Sequence, residues 1–264
     1  MKEITFPGVR IGFNIDSIAI SICGVDIYWY AIFIVIAFII ALLLLKRDDG
    51  KYNIKFEDVL EVLVIGIPIA FICARLYFVL FKLEDYIHNP LEIFNIRSGG
   101  LAIYGGIIGC VITIMVYCKI KKIKVLNMLD YIVPYLPLGQ AIGRWGNFVN
   151  GEAHGTITNS IFRMGIIENG NYIEVHPTFL YESICTFILF ILLFKLRNKR
   201  KYEGELTYIY LAIYGFVRTI IEGMRTDSLM IGYFRISQLL SVIISITFTS
   251  ILVYKKIKEK QKNE

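Results

Sequence analysis

Apolar stretches alternate with short polar connections along the whole chain. Seven of them, at 27–45, 56–81, 101–118, 128–143, 177–194, 206–222 and 233–254, approach the length at which a helix crosses a bilayer, roughly 20 residues. Each predicts a helix. The fourth is the least regular, because Pro134 and Pro137 interrupt it and Asp130 sits near its start. Proline is tolerated in a membrane helix where neighbours satisfy the freed backbone groups. The sixth turns polar toward its end. The pattern predicts an all-α integral membrane protein of seven transmembrane helices, one polytopic domain over residues 1–264. Two connections exceed simple turns. Residues 82–100 predict a short interfacial helix before Ser98, Gly99 and Gly100, and residues 145–176 predict a small extracytoplasmic cap of strands and turns.

Composition supports the membrane reading. The chain is 56% hydrophobic with a mean hydropathy of +0.61, whereas soluble domains are about 45–50% apolar even with glycine counted. The net charge of +6 would suit nucleic acid, but its distribution argues against that partner. Lysine and arginine crowd into "KRDDGKYNIK", "KIKKIK", "KLRNKRKYEGE" and the tail "KKIKEKQKNE". With seven spans these all fall on one side, which the positive-inside rule makes cytoplasmic. The N-terminus then lies outside and the C-terminus inside. The basic tail reads as a solvated end facing anionic lipid. The first apolar stretch starts well into the chain and lacks an A-x-A site, so no cleavable signal peptide is expected.

Five cysteines, mostly inside apolar stretches and without a CxxC pair, suit packing. Three histidines with no HExxH and no cysteine cluster argue against a metal site. His88 reads as an interfacial loop residue. The absence of GxSxG argues against a serine hydrolase. No internal repeat of the transporter kind is visible.

Ionisable residues in or beside membrane spans are costly and point to function. Here they converge. Arg144, Asn147, Asn150, Glu152 and His154, in "GRWGNFVNGEAHG", lie where the fourth span exits outward. His176, Tyr181 and Glu182, in "HPTFLYES", lie where the fifth enters, and Arg218, Glu222 and Arg225, in "YGFVRTIIEGMR", where the sixth exits. Tyr30 and Tyr104 stand near the outer starts of the first and third spans. Arg218 and Glu222 share a helix face, and Arg225, three further on, extends that stripe. The pair alone is equally an ion pair that locks helices together; beside Arg144 and Glu182 it favours a shared polar cavity at headgroup depth. Arginine grips phosphate oxygens in bidentate fashion, so Arg144 and Arg218 suit a phosphodiester. Gly143, Gly146, Gly151 and Gly155 allow close approach or left-handed turns, while Gly105, Gly106 and Gly109 read as helix packing. Asn147 and Asn150 either donate to a ligand or cap the helix. His154 is either a base or a structural hydrogen bonder, and His176 reads first as a hydrogen-bonding residue at the helix start. A transporter would carry its polar path inward, yet the inner halves of the spans are apolar apart from Asp130 and Arg75.

With "WYA", "GGLAIYGG" and "ISQLLS" added, these motifs resemble the prolipoprotein diacylglyceryl transferases of bacterial inner membranes over essentially the whole chain. The resemblance implies transfer of the diacylglyceryl group of phosphatidylglycerol to the lipobox cysteine thiol of a prolipoprotein signal peptide, with no metal or organic cofactor. It implies functional roles for Arg144, Asn147, Glu152, Gly155, Tyr30, Arg218 and Glu222. The candidate catalytic set is then Arg144, Arg218, Glu152, Glu222, Tyr104 and His154. The candidate substrate-binding set is Tyr30, Asn147, Asn150, Gly155, His176, Tyr181, Glu182 and Arg225. One departure stands out: many members carry histidine where this chain has Tyr104. A free tyrosine has a pKa near 10 against roughly 8.5 for cysteine, which makes it a poor base toward a thiol. The expected mechanism is therefore electrostatic: the two arginines stabilise the departing phosphate and their field lowers the thiol's pKa. Glu152, His154 and Glu222 remain alternative proton acceptors.

Overall fold

The structure is a computed structural model that describes residues 2–87, 89–95, 99–168, 170–226 and 230–263. His88 and Ser98 lie outside the described residues. The helices are α1 (Trp29–Arg47), α2 (Phe56–Phe81), α3 (Leu83–Ile87), α4 (Ile103–Lys121), α5 (Val125–Ile132), α6 (Leu136–Asn150), α7 (Thr178–Leu196), α8 (Glu205–Met224) and α9 (Ile236–Asn263). By length and composition, five of them, α1, α2, α4, α7 and α9, are able to cross a membrane. That is fewer than the seven expected, for two physical reasons. The fourth apolar stretch breaks into α5, a 3-10 turn at Val133–Tyr135 and α6, because Pro134 lacks an N–H and Pro137 starts a new helix in its first turn. The sixth forms α8, 20 residues long, but a row of polar side chains lowers its hydropathy.

The chain divides into two compact units, residues 1–45 with 133–264, and residues 46–132. The first contains strands, some of them outside the 145–176 segment where strands were expected. Strands β1 (Lys2–Phe6), β2 (Ile11–Ile15), β3 (Ile18–Ile22) and β4 (Val25–Tyr28) precede α1. Strands β5 (Met164–Glu168) and β6 (Asn171–Val175) come from the predicted cap segment. An antiparallel sheet runs in the order β2-β1-β5-β6, so the N-terminal segment supplies half of it. β3 and β4 form a separate hairpin, as do β7 (Met230–Ile231) and β8 (Phe234–Arg235). Ile4, Met164, Ile166 and Val175 from the sheet pack with Phe148 and Val149 of α6 and Phe179 of α7. This apolar core seats the sheet on the end of one helix and the start of the next, and so places the loop between α6 and β5.

In the second unit α2 and α4 pack closely. A Cβ on Gly105 would stand 2.3 Å from the Cys73 carbonyl oxygen, and one on Gly109 3.0 Å from Ala70 Cα, so the glycines act in packing. Arg75, expected as an inner-half charge, is buried six residues from the C-terminal end of α2. Its guanidinium donates to the carbonyls of Glu92, Ile93, Asn95, Gly99 and Gly100 at 2.7–3.2 Å. It fastens the segment after α3 and belongs to no inward path.

Candidate active site

The converging charges form one chain of contacts across three helices of the first unit. On α6, Arg144 and Asn147 are three apart and share a face: Arg144 Nη1 donates to Asn147 Oδ1 at 3.1 Å. Arg144 Nη2 donates to Glu182 Oε1 on α7 at 2.5 Å. The other oxygen of Glu182 accepts from Arg218 Nη1 on α8 at 3.0 Å. Arg218 Nη2 in turn pairs with Glu222 Oε2, one helical turn along α8. The order is cation, anion, cation, anion. Glu182 and Glu222 are 1% and 2% exposed, and a buried charge of either sign is costly unless paired and hydrogen-bonded. Alternation pairs each charge and leaves the row formally neutral, and Glu222 Oε2 is held by the ion pair with Arg218 without a hydrogen bond among the described residues.

The loop after α6 closes the row at its rim. Gly151, in the left-handed region at φ 58°, ends α6, and its N–H donates to the Phe148 carbonyl. That turn brings Glu152 back over the helix end. Glu152 Oε1 accepts from Asn147 Nδ2 at 3.1 Å and from Asn150 Nδ2 at 3.2 Å. The two asparagines thus order an exposed carboxylate instead of capping the helix. Ala153 is also left-handed, at φ 57°, an uncommon setting for a residue with a Cβ, and Thr178 Oγ1 holds it by donating to its carbonyl at 2.5 Å. Gly155 then threads between helix ends: it bridges Arg225, and its N–H donates to the His176 carbonyl at 2.9 Å. A Cβ there would stand 2.7 Å from His176 Cβ. Thr156 N donates to the Met224 carbonyl at 2.8 Å.

A profile of the family described as prolipoprotein diacylglyceryl transferase matches residues 17–254. The chain belongs to the prolipoprotein diacylglyceryl transferase family. Its relatives include proteins named phosphatidylglycerol–prolipoprotein diacylglyceryl transferase. The one from Clostridioides difficile is 46% identical over 228 residues, 86% of this chain and 90% of that protein. The one from Finegoldia magna is 46% identical over 243 residues, covering 91% and 96%. The one from Clostridium novyi is 41% identical over 251 residues, covering 93% and 98%.

In this diacylglyceryl transferase family member the other expected site residues take varied positions. Tyr30, at the start of α1, packs its ring against α6 at Gly146: a Cβ there would fall 1.8 Å from the ring. His176 contacts the Tyr181 hydroxyl through Nδ1 at 3.3 Å, and its backbone pairs with residues 155 and 156, so it organises the start of α7. His154 Nε2 faces Glu168 on β5 at 3.5 Å, and Nδ1 faces the Gly155 carbonyl. Both partners are acceptors, an arrangement that ties His154 to the sheet. Arg225 does not continue the α8 stripe. The helix ends at Met224, and Arg225 is extended, at φ −74° and ψ 147°, because its backbone is taken by the bridge to Gly155. Tyr104 belongs to the second unit, near the start of α4, with its ring 6.4 Å from that of Tyr77. Sequence reasoning missed Tyr214, whose hydroxyl donates to Glu182 Oε1 at 3.3 Å. Its signal was available, four residues before Arg218 on the same face.

Proposed function

We infer that this protein transfers the diacylglyceryl group of phosphatidylglycerol to the lipobox cysteine of prolipoproteins at the Arg144–Glu182–Arg218–Glu222 row. The observation that carries the site is two guanidiniums from different helices held by one buried carboxylate. Each guanidinium has five N–H donors in a planar fork, and Asn147 and Glu182 engage two of Arg144's. The phosphodiester binds at the donors that remain. The substrate thiolate attacks the glyceryl carbon bonded to the phosphate oxygen; a C–S bond forms, that C–O bond breaks, and glycerol phosphate leaves with the electron pair. Charge builds on the bridging oxygen, where prearranged donors act most strongly.

The thiol's proton needs an acceptor with a way out. Glu222 is buried against Arg218, and His154 faces Glu168. Glu152 is exposed at the rim, and we assign the proton to it. The protein sits in the bacterial cytoplasmic membrane as a single polytopic domain. Its seven crossings include α8 and the broken α5–α6 segment, with the N-terminus and the 145–176 cap outside and the C-terminus inside. This orientation rests on the lysine and arginine distribution and puts the row toward the outer face.

The test is transfer by purified protein in liposomes of phosphatidylglycerol with a lipobox peptide, read by mass spectrometry. A diacylglyceryl adduct on the cysteine, absent from a Cys→Ser peptide, is the expected result. A folded protein that binds both substrates and forms no adduct contradicts the reading.

A further inference from the structure

The polar seam does not end at the arginines. Along α8, Tyr210, Tyr214, Arg218 and Glu222 recur every four residues on one face. On α6, Gln140 stands four residues before Arg144, on the side away from the sheet. Gln140 Nε2 donates to the Tyr210 hydroxyl at 2.9 Å. The Tyr210 and Tyr214 rings stack, 5.4 Å between centroids and nearly parallel, and Tyr214 reaches Glu182. Gln140 is thereby joined to the arginine row through α8. Its carboxamide oxygen is buried and has no hydrogen-bond partner among the described residues.

A half-turn of the amide exchanges oxygen and nitrogen, so Tyr210 is able to bond either one. Both settings leave hydrogen-bonding capacity open at a buried atom. Such a group costs stability, and an apolar side chain would do better if nothing bound there. Beside it α6 is bare: a Cβ added at Gly139 or Gly143 meets nothing within 4 Å. A phospholipid whose phosphate lies on Arg144 and Arg218 has its ester carbonyls a few bonds further from the headgroup. Four residues of helix advance ~6 Å, which matches that step.

We propose that Gln140, backed by Tyr210, binds an ester carbonyl of the diacyl lipid, and that the space beside Gly139 and Gly143 takes the glyceryl backbone. This rests on the transferase reading, with phosphate at the two arginines. The amide donates through Nε2 to the carbonyl oxygen while Tyr210 donates to Oε1. The subsite selects the lipid by its esters, a feature remote from the bond that breaks.

The test compares kcat/KM for diester phosphatidylglycerol with that for its dialkyl ether analogue, which has the same headgroup and chain length but no carbonyls. Wild-type protein prefers the diester by about 3–10-fold, the range of one neutral hydrogen bond. In Gln140→Met that preference falls to near one. The ratio is taken within each preparation, so partial unfolding of the variant cancels. Equal use of both lipids by wild type, or an undiminished preference in the variant, overturns the proposal. A variant defect equal for both lipids, appearing as a raised KM for the lipobox peptide, overturns it in favour of a peptide contact. Wild-type protein that transfers from neither lipid overturns the transferase reading, and the proposal with it.

Discussion

Two guanidiniums brought to one carboxylate repel each other, and away from water that repulsion is weakly screened. Arg144 and Arg218 tolerate this because Glu182 gives one oxygen to each and Glu222 adds a second anion to Arg218. Glu182→Ala therefore removes the charge that both arginines share. We expect a loss of about 3–5 kcal/mol of stability, the cost of leaving buried charge uncompensated, measured by unfolding in detergent; a change below about 1 kcal/mol contradicts the shared-carboxylate account. Glu152 acts at the rim. If it takes the thiol proton, Glu152→Gln lowers kcat by about 10²-fold, the low end for a positioned acid or base, with the lipid KM nearly unchanged. A raised KM with normal kcat would make Glu152 a binding group only. At this scale the sequence was readable where charge interrupts apolar surroundings, as at Arg144, Glu182, Arg218 and Glu222. Gln140 and Tyr210 were not, because an uncharged polar side chain in a helix signals nothing until its neighbours are known, and Tyr214 had only its spacing from Arg218 to mark it.

The elements show why glycines crowd α6. Gly146 lets the Tyr30 ring lie on the helix, whereas Gly143 faces open space. Gly146→Ala forces Tyr30 away and lowers stability by about 1–3 kcal/mol, as overpacking does. Gly143→Ala costs nothing in the folded chain and gains up to about 1 kcal/mol in helix propensity. Paired melting measurements check this, and equal effects of the two substitutions contradict it. Helix bounds followed the apolar pattern well where the pattern was unbroken: α2 occupies Phe56–Phe81, the same residues as the second apolar stretch. The pattern failed where local chemistry overrode it. Pro134 and Pro137 split the fourth stretch, and the polar stripe expected to reach Arg225 stops short of it, because a backbone bridge to Gly155 takes Arg225 out of α8. The strands "KEITF" and "IGFNI" are five residues each, too short for alternation to stand out, and the pairing of β1 with β5 joins segments about 160 residues apart.

For the molecule as a whole, membrane character was legible in composition, and the proposed orientation rests on lysine and arginine placement, both properties of long segments that single contacts do not disturb. The orientation predicts that green fluorescent protein fused after α9 fluoresces in cells, and that alkaline phosphatase inserted near Ser160 is active. The opposite pair of results would reverse the membrane topology and move the row to the inner face. The sheet, the arginine row and the loop between them make one arrangement in the first unit, with Arg144 and Arg218 acting through a shared carboxylate. Residues that act as a unit are not additive when removed. The most direct measurement is kcat/KM for diacylglyceryl transfer by Arg144→Ala, Arg218→Ala and the double variant, each verified as folded. The account predicts a loss of about 10²–10³-fold in each single variant, the size of removing one donor to a developing oxyanion, with little further loss in the double. Near-normal transfer by either single variant would contradict it.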